Sequence, residues 1–394
     1  MDREIAYNAV LVRLGEYMVR YGTRYRDRLI SRLRESILRV LTKKGIMGWR
    51  VKVIDPRIVL FAESSKENNI DAVELARIIS KIFGVSSTSP AIVLEKPSLR
   101  EVIDTVTEFI ADRRARSFRI RIEGEAPYDS PILSGMISSQ VLRKTSASVN
   151  LSNPELNLAV EYRDQYVFLM DKTYQGVGGL PYGVEGCLAI LVSGGIDSAL
   201  ATWYLLKRGI KPVMVYVDMG IYWSIEAKQR VKEFINLINE WIPWDKARMY
   251  IASGAENVIA SANIPDKLRC IFCKAVMYTI ASLVASREKC LGIATGEAVG
   301  QVASQTLKNL TALTRLSPLP VYRPVSFMDK IEIIETAKNL GFDKLARKVG
   351  TCLLKPEYPE TSISEKDIAI IKRELESKKE AIEEIVEKSN VIEF

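Results

Sequence analysis

The hydrophobic and polar positions of the N-terminal part follow strand and helix periods in turn. Residues 6–14 alternate as in a strand, and an arginine-rich amphipathic helix is predicted over about 25–43. Strands are predicted near 49–54 and 58–62, with a further helix over about 71–83. This βαββαβ-like order is typical of a small ferredoxin-like α+β domain.

The same patterns predict a second α/β unit behind the first. It begins with a helix over about 99–114, and its strands are predicted at 117–123, 147–149, 157–163 and 166–171.

A linker and a third domain follow. The segment 176–183 is rich in glycine and proline, which indicates a linker, and a charged helix over about 365–388 is expected to be solvated. The predicted divisions are a ferredoxin-like domain, a second α/β domain, a linker and a nucleotide-binding domain, at 1–65, 66–172, 173–183 and 184–394.

The most specific local pattern is a glycine turn between a strand and a helix. Ser193-Gly-Gly-Ile-Asp-Ser198 follows the apolar run 188–192 and precedes a helical stretch over 199–208 and a second apolar run at 213–217. This order opens a doubly wound α/β domain, which binds ligands at such a turn. Glycines, serine hydroxyls and a helix N-terminus suit phosphate, and the missing lysine excludes the Walker type. The pattern predicts the pyrophosphate loop of adenylylating enzymes, although Ser-Gly-Gly alone also occurs in ordinary turns.

Composition and charge limit the classes of protein to which the chain can belong. With 394 residues, of which 47% are hydrophobic, the chain is expected to hold two or three domains and a sizeable core. The net charge of +8 is uneven, since residues 1–50 hold 12 Lys/Arg against 5 Asp/Glu. A basic lobe beside a nucleotide domain indicates a polyanionic substrate, the alternative being a solvated basic face. Because there is no signal-like start or long uncharged apolar run, we expect a cytoplasmic protein without a membrane partner.

Histidine is absent from the chain, which excludes histidine bases, histidine-activated nucleophiles and histidine metal ligands. Chemistry must therefore depend on Asp, Lys, Ser, Cys and backbone groups. Five cysteines in a cytosolic chain argue against a disulfide scaffold, and we expect Cys187 and Cys290 to be structural.

The other three cysteines are candidates for sulfur or metal chemistry. Cys270-Ile-Phe-Cys273 places two sulfurs for one metal or for a dithiol pair, and Cys352 offers a third thiolate. Three thiolates without histidine suit an iron–sulfur cluster with one open iron. A redox pair or persulfide relay, and three buried structural thiols, are the alternatives. Lys274 follows the pair and precedes an apolar helix predicted over 275–285.

Two further segments suit the walls of a nucleotide cleft. Small residues at 294–305 follow a short apolar run, as in a loop at the carboxyl end of a strand. Asp329 precedes a helix predicted over 331–340, where it suits an N-cap and leaves Lys330 near the mouth of the site. Helix capping alone is the competing interpretation.

Together these segments resemble the tRNA 4-thiouridine synthetase family, also called the tRNA sulfurtransferase family. The resemblance is carried by Ser193–Ser198, by Thr295-Gly-Glu-Ala-Val-Gly-Gln-Val-Ala-Ser-Gln-Thr306, by Arg323-Pro with Asp329-Lys330, and by Gly179-Leu-Pro. It extends over the whole chain and implies an N-terminal ferredoxin-like domain, a THUMP domain that holds the tRNA acceptor end, and a PP-loop ATP pyrophosphatase domain.

The resemblance implies that ATP drives replacement of a uridine carbonyl oxygen by sulfur, forming 4-thiouridine at position 8 of tRNA. The ATP-binding residues expected from the loop and the resemblance are Ile190, Leu191, Ser193, Gly194, Gly195, Asp197, Ser198, Val215, Tyr216, Lys274, Gly296 and Gln305. Cys352 matches the family's sulfur-handling cysteine, and the CxxC pair matches an archaeal variant in which three cysteines hold a cluster.

The expected mechanism has two steps. The glycine loop orients ATP so that the uridine O4 attacks the α-phosphate, while Asp197 helps to hold Mg²⁺ and Lys274 or Lys330 offsets phosphate charge. Sulfide at an open iron, or a persulfide on Cys352, then displaces AMP. The predicted catalytic residues are Asp197, Lys330, Cys270, Cys273 and Cys352.

Partners follow from the same resemblance. The partners expected are tRNA, a donor that supplies sulfide or carries a persulfide, and a second copy in a homodimer. The residues expected to contact tRNA are Arg113, Arg114, Arg116 and Lys144. We expect no rhodanese domain after Phe394, unlike the bacterial pattern, which weakens both a relay within one chain and a thiamine-thiazole role.

Two alternatives from other classes stay open. The same ATP domain could amidate or ligate a small molecule, but such enzymes need no basic RNA-binding lobe, so a tRNA gel shift distinguishes them. The chain could also be a non-catalytic RNA-binding protein with a relic loop, which ATP/pyrophosphate exchange tests.

Overall fold

The computed structural model of the chain divides into two units, Met1–Gly179 and Leu180–Phe394. It describes residues 6–15, 22–63, 68–223, 225–243, 247–346 and 352–394.

The described part of the first unit forms nine strands and four helices. The strands are β1 (Ala9–Leu14), β2 (Trp49–Ile54), β3 (Arg57–Ala62), β4 (Val85–Glu95), β5 (Ser117–Gly124), β6 (Ser148–Val149), β7 (Leu156–Arg163), β8 (Tyr166–Met170) and β9 (Tyr174–Gln175). The helices are α1 (Thr23–Lys43), α2 (Ala72–Ser80), α3 (Leu99–Asp112) and α4 (Ser130–Lys144). Each strand and helix predicted here is present within a few residues, whereas α4 and the bounds of β4 were not predicted.

Strand β4 joins the two halves of a single sheet. The strand order is β2-β3-β1-β4-β8-β7-β5-β6, with β9 also paired to β4. The first part of β4 pairs antiparallel with β1, where Ser89 lies opposite Leu11, and its last part pairs with β8, where Ile92 lies opposite Leu169. Strands from both predicted N-terminal domains therefore lie in one sheet.

Helix α4 escaped prediction because its apolar face is narrow and is interrupted by serine and glycine. Leu133, Ile137 and Val141 recur every four residues, so they share one face of the helix. All three are fully buried in the core that α3 and β5 also line.

The second unit forms six strands and eight α-helices among its described residues. The strands are β10 (Cys187–Leu191), β11 (Lys211–Asp218), β12 (Arg248–Ser253), β13 (Ile293–Ala294), β14 (Val321–Tyr322) and β15 (Asn390–Glu393). The helices are α5 (Ile196–Lys207), α6 (Ile225–Asn239), α7 (Ala255–Ala260), α8 (Arg269–Arg287), α9 (Leu307–Leu316), α10 (Lys330–Asn339), α11 (Glu365–Ser377) and α12 (Lys379–Glu387).

The sheet of the second unit has the strand order β14-β13-β10-β11-β12-β15, parallel except for β15. The chain passes from β10 through β11 to β12, and then returns to place β13 on the other side of β10. This reversal opens a crevice at the carboxyl ends of β10 and β13, where open α/β sheets bind ligands. The predicted doubly wound architecture is confirmed.

Helix α8 is the central helix of this unit and begins earlier than predicted. The CxxC pair was expected before the helix, whereas Cys270 and Cys273 lie within its first two turns. By length and composition alone, Asp266–Arg287 could cross a membrane, but 61% of its apolar window is buried inside the structure. That burial is the environment of a core helix.

The C-terminal segment is more than the solvated helix predicted for it. It breaks into α11 and α12, whose Ile371, Ile382 and Val386 are buried in the core. It ends in β15, where Ile392 lies opposite Met249 of β12. The many charged residues occupy only the outer faces, which is why charge content alone was misleading.

Cys187 and Cys290 form a disulfide, so they are structural as expected, although the cysteine content had argued against disulfides in this chain. Cys187 starts β10 and Cys290 closely precedes β13, so the parallel pairing of these strands brings the two cysteines together. The pairing joins residues 103 positions apart, which spacing along the sequence could not reveal. The free cysteines are Cys270, Cys273 and Cys352.

Candidate active site

The candidate active site is a cleft at the carboxyl ends of β10 and β13. The side chains and backbone that line it come from the glycine loop, β11, α8 and the loop after β13. The lining residues are Leu191, Val192, Ser193, Asp197, Ser198, Tyr216, Val217, Met219, Trp223, Lys274, Met277, Tyr278, Thr295, Gly296, Glu297, Gln301 and Gln305.

Most of the predicted ATP-binding residues line this cleft. The exceptions are Ile190, Gly194, Gly195 and Val215, none of which is among the lining residues. Ile190 and Val215 are fully buried strand residues. Burial also raises the pKa of Tyr216, which does line the cleft, to about 12, with Asp218 contributing.

The glycine loop is shaped for an anion. Gly194 has a φ of +71°, which residues with a side chain rarely adopt. The N-cap of α5 is Gly195, which has no side chain to cap the first N–H groups of the helix. Ser198 Oγ instead donates to the Gly195 carbonyl at 2.8 Å, which fixes the turn. The N-terminus of α5 therefore opens toward the cleft with backbone N–H groups for a phosphate.

Gly296 brings the second wall directly onto this loop. A Cβ atom at Gly296 would lie 2.7 Å from the Ser198 nitrogen and 2.8 Å from the Asp197 carbonyl carbon. Any larger residue would push the two walls apart, so this glycine sets the width of the cleft.

Asp197 is the point where three site segments meet. Lys330 Nζ lies 2.7 Å from each of its carboxylate oxygens, and Gln301 Nε2 lies 3.5 Å from Oδ1. Lys330 is held at the start of α10 because Asp329 caps that helix in a capping box with Glu332. The capping interpretation of this segment is therefore confirmed, and its functional interpretation stays a prediction.

Glu297 organises a buried polar network that the sequence analysis did not place in the site. Its carboxylate accepts hydrogen bonds from Lys274 Nζ at 2.5 Å, Thr295 Oγ1 at 2.9 Å, Arg323 Nε at 3.1 Å and the Tyr278 hydroxyl.

The charge state of Glu297 follows from these partners. Burial alone would raise the pKa of Glu297. The Lys274 ammonium, the Tyr278 hydroxyl and the Arg323 guanidinium lower it to about 2. The carboxylate is therefore ionised at neutral pH and holds Lys274 in place at the cleft wall. An acidic residue inside an otherwise small and apolar loop was the sequence signal that could have marked it.

Two of the three free cysteines lie on the helix that lines the cleft. Cys270 and Cys273 are three residues apart on α8, and Lys274 follows them into the lining of the cleft. Burial raises the pKa of Cys273 to about 12, with the charge of Cys352 adding to the rise. Burial also raises the pKa of Cys270, again with a contribution from Cys352. The charge of Cys352 thus acts on both thiols of the pair, and the grouping of the three cysteines in one site stays a prediction.

A backbone hydrogen bond links the Cys352 segment to the cleft wall. Leu353 N donates to the Tyr222 carbonyl at 3.2 Å, and the next residue, Trp223, lines the cleft. Within the described ranges, no three or more His, Cys, Asp or Glu residues are grouped to hold a metal ion. The described structure therefore gives no direct support for a metal at these thiols, and the cluster and the sulfur relay both stay predictions.

The predicted tRNA-binding residues lie in the first unit and differ in their surroundings. Arg113 is partly buried, with Asp112 at 2.8 Å and Asp171 at 3.5 Å, and its guanidinium stacks over Tyr7. Contacts within the first unit therefore hold the Arg113 side chain, which makes it less available to tRNA than an exposed arginine.

Arg114, Arg116 and Lys144 are more accessible. Arg114 is exposed at a turn, and the side chain of Arg116 is 92% exposed with one ion pair to Glu155 at 3.5 Å. Lys144 is half exposed beside Asp104. These three side chains can reach a phosphate without breaking a buried contact.

Known proteins resemble this chain in sequence. A family model described as "Thiamine biosynthesis protein (ThiI)" matches residues 183–377. A "Probable tRNA sulfurtransferase" from Methanothermobacter thermautotrophicus is 32% identical over 397 residues, covering 98% of this chain and 95% of the relative. One from Sulfurisphaera tokodaii is also 32% identical, covering 80% of this chain and 84% of the relative.

A solved structure resembles the chain throughout. The crystal structure of a 4-thiouridine synthetase–RNA complex with bound ATP matches with a TM-score of 0.84 at 25% identity. The match covers 98% of this chain and 100% of the other. The predicted fold class, with ferredoxin-like, THUMP and PP-loop parts, is confirmed.

Proposed function

The chain belongs to the tRNA sulfurtransferase family, and we propose that it prepares a tRNA uridine for sulfur by attaching AMP to it. The protein is an enzyme that transfers sulfur to tRNA in an ATP-dependent reaction. One observation carries the adenylylation step, namely the pairing of Lys330 with Asp197 at the N-terminus of α5.

ATP is proposed to lie in the cleft with its phosphates over the glycine loop. The apolar side chains of Leu191, Tyr216 and Met277 offer a wall for adenosine. Lys274 and Lys330 supply the positive charge, and each is already held by a carboxylate, so their ammonium groups need little reorganisation when ATP binds. A carboxylate beside phosphates also suits Mg²⁺, and Asp197 is the residue proposed to hold it.

In the first step the uridine O4 attacks the α-phosphorus of ATP. The new O4–P bond forms as the bond to the β-phosphate oxygen breaks, and pyrophosphate leaves. The N–H groups at the start of α5 and the two lysines stabilise the charge that develops on the phosphates. The carbonyl oxygen, a poor leaving group, thereby becomes part of a phosphate ester that leaves readily.

In the second step a sulfur nucleophile attacks C4, and AMP departs with O4. The proposed donor is sulfide or a persulfide carrier that loads Cys352. On the persulfide route, the terminal sulfur bonds to C4, and a thiolate from Cys270 or Cys273 then attacks Cys352 Sγ. This releases the thiolated base and leaves a disulfide, which an external dithiol reduces.

Three thiolates are also the ligand type of an iron–sulfur cluster with one open iron, which is the other route proposed for the sulfur. Cys270, Cys273 and Cys352 would hold the cluster, and when bound it would supply an iron with an open position for sulfide. Cys270 and Cys273 lie on the helix that lines the cleft, which supports either source of sulfur.

The product, the RNA-binding residues, the oligomeric state and the location are further parts of the proposal. The product is proposed to be 4-thiouridine at position 8, with the first unit holding tRNA through Arg114, Arg116 and Lys144. A homodimer, a cytoplasmic location and a part in thiamine sulfur chemistry remain predictions.

The test of adenylylation is exchange of labelled pyrophosphate into ATP. We expect exchange only when tRNA is present, because the uridine O4 is the acceptor. A tRNA carrying cytidine in place of the target uridine is the control and should abolish exchange. Exchange without tRNA would indicate a small-molecule substrate, and no exchange under any condition would remove the adenylylated intermediate.

A further inference from the structure

An exposed aromatic ring stands beside the residues that hold the phosphate loop. Phe327 is 92% exposed, more than any other large hydrophobic residue of the described chain. A single exposed apolar residue is ordinary on a protein surface, but Phe327 belongs to a patch in which Val299 and Leu307 are exposed as well, and such patches mark interaction sites.

The backbone that carries Phe327 is fixed. Ser326 N donates to the Arg323 carbonyl at 3.2 Å, and Met328 N donates to the Val325 carbonyl at 3.2 Å. The Arg323 side chain is itself anchored by Glu297 and by the Leu310 carbonyl. The ring is therefore presented by a loop that needs little ordering when a ligand arrives.

Two connections place the backbone of this loop near the partners of Asp197, although the pocket that the ring lines shares no lining residue with the cleft. Phe327 lies three residues before Lys330, so its backbone is within about 10 Å of the residue that pairs with Asp197. The carbonyl of Ser326 accepts a hydrogen bond at 2.9 Å from Val299, two residues before Gln301, which also contacts Asp197.

The surface around the ring suits a flat, weakly polar group that is attached to a negatively charged phosphate backbone. Phe327 lines a shallow pocket with Val299, Leu307, Thr311 and Val321. Val299 and Leu307 are themselves exposed, and Lys330 supplies a half-exposed cation nearby.

We propose that Phe327 is the stacking platform for the target uridine after it leaves the tRNA stack. This inference rests on the proposed function, in which the uridine O4 must reach the α-phosphate over the loop at 193–198. An atom of a stacked base cannot reach a phosphate in a cleft, so the nucleotide must be extruded, and enzymes hold extruded bases by aromatic stacking. Phe327 would act as a positioning residue, holding the ring so that O4 faces the phosphate.

The test compares ring and non-ring substitutions in single-turnover thiolation with sulfide as the donor. With enzyme in excess of tRNA but below saturation, Phe327→Ala should lose roughly 10- to 100-fold in rate, Phe327→Leu should lose nearly as much, and Phe327→Tyr should stay within about threefold. Binding of a non-hydrolysable ATP analogue should not change. Leu291→Ala is the matched control, because Leu291 is 68% exposed and precedes the amino end of β13, opposite the cleft.

A photochemical readout separates stacking from a structural effect. Long-wavelength irradiation of wild-type enzyme bound to tRNA carrying 4-thiouridine should crosslink the base to the peptide that contains Phe327. A crosslink elsewhere, or equal activity of the Ala and Tyr variants, would overturn the inference.

Other occupants of the surface give different results. A defect in Phe327→Ala seen only with a protein sulfur donor would assign the ring to that protein. A molar mass of Phe327→Ala that differs from that of the wild type in light scattering would assign the ring to contact with a second copy of the chain. Both results overturn the inference. If the wild type thiolates tRNA and Phe327→Ala does so at the same rate, the inference is also overturned, but the proposed function stands. A wild type that never thiolates tRNA refutes the proposed function itself.

Discussion

Lys330 Nζ lies 2.7 Å from both carboxylate oxygens of Asp197, although the two residues are 133 positions apart. The ion pair connects the start of α5 with the start of α10. It keeps a cation over the glycine loop and a carboxylate beside it, which are the two charges that phosphate activation requires.

We predict that Asp197→Ala abolishes thiolation and leaves tRNA affinity unchanged, because only one side chain at the phosphates is removed. Lys330→Ala should cause a similar loss. If the residues act as one unit, the double variant should be no slower than the worse single variant. Additive losses in single-turnover rates would show that the two act independently.

We predict that Glu297→Gln raises the KM for ATP and lowers stability. The substitution leaves the Lys274 and Arg323 cations without a counter-charge, at a cost of roughly 3 kcal/mol in the free energy of unfolding. Denaturant titration and ATP binding check the two effects. An unchanged ATP KM in a folded variant would show that Glu297 does not position Lys274.

The pKa of Glu297 also predicts how stability depends on pH. Its value of about 2 lies below that of an unfolded glutamate, so its contribution is complete above about pH 4.3 and is lost as the pH falls through 2. The wild type should therefore lose more stability than Glu297→Gln between pH 5 and pH 2, to be measured by denaturant unfolding at each pH. A parallel decline in both proteins would contradict the assignment.

We predict that alanine at Arg114, Arg116 and Lys144 weakens tRNA binding and flattens its salt dependence. Each lost phosphate contact should lower the slope of log K against log salt by about 0.9. The control, with the same change of charge, replaces the exposed Lys366, Lys372 and Lys379 of α11 and α12. An equal effect of the two sets would place the RNA surface elsewhere. Arg113→Ala should mainly lower stability, because that side chain is held by Asp112 and Asp171.

The disulfide predicts how many thiols react. Alkylation of the unfolded, unreduced protein should label Cys270, Cys273 and Cys352 and leave Cys187 and Cys290 unlabelled, as measured by peptide mass spectrometry. Cys187→Ser should cost about 2–4 kcal/mol of stability and preserve thiolation by the folded fraction. Five labelled cysteines would show that the bridge does not form.

The sulfur step separates the thiols from the ATP chemistry. Serine at Cys270, Cys273 or Cys352 should stop thiolation while tRNA-dependent pyrophosphate release continues, since adenylylation needs no thiol. Iron analysis of anaerobically purified protein then distinguishes a cluster from a relay. Iron that is lost in each variant supports the cluster, and a persulfide on Cys352 in iron-free active protein supports the relay. Full activity with all three replaced would leave free sulfide as the only nucleophile.

Much of the fold could be predicted because apolar runs and glycine turns act locally. The glycine loop between β10 and α5 and the cap at Asp329 are fixed by neighbouring residues, and both appear as expected. The partners of Asp197 and Glu297 could not be predicted, since Lys330, Tyr278 and Arg323 reach them from distant elements. The pairing of Cys187 with Cys290 likewise depends on which strands are neighbours in the sheet, and helix α4 depends on tertiary burial of three residues.

ATP is proposed to drive sulfur onto a tRNA uridine in the cleft at Asp197. The most direct measurement is nucleoside mass spectrometry of an unmodified tRNA transcript incubated with the protein, sulfide and ATP, with released pyrophosphate counted in parallel. We predict one 4-thiouridine and one pyrophosphate for each tRNA modified, neither of them without ATP or with Asp197→Ala. Thiolation that proceeds equally without ATP, or pyrophosphate release that never requires tRNA, would contradict the account.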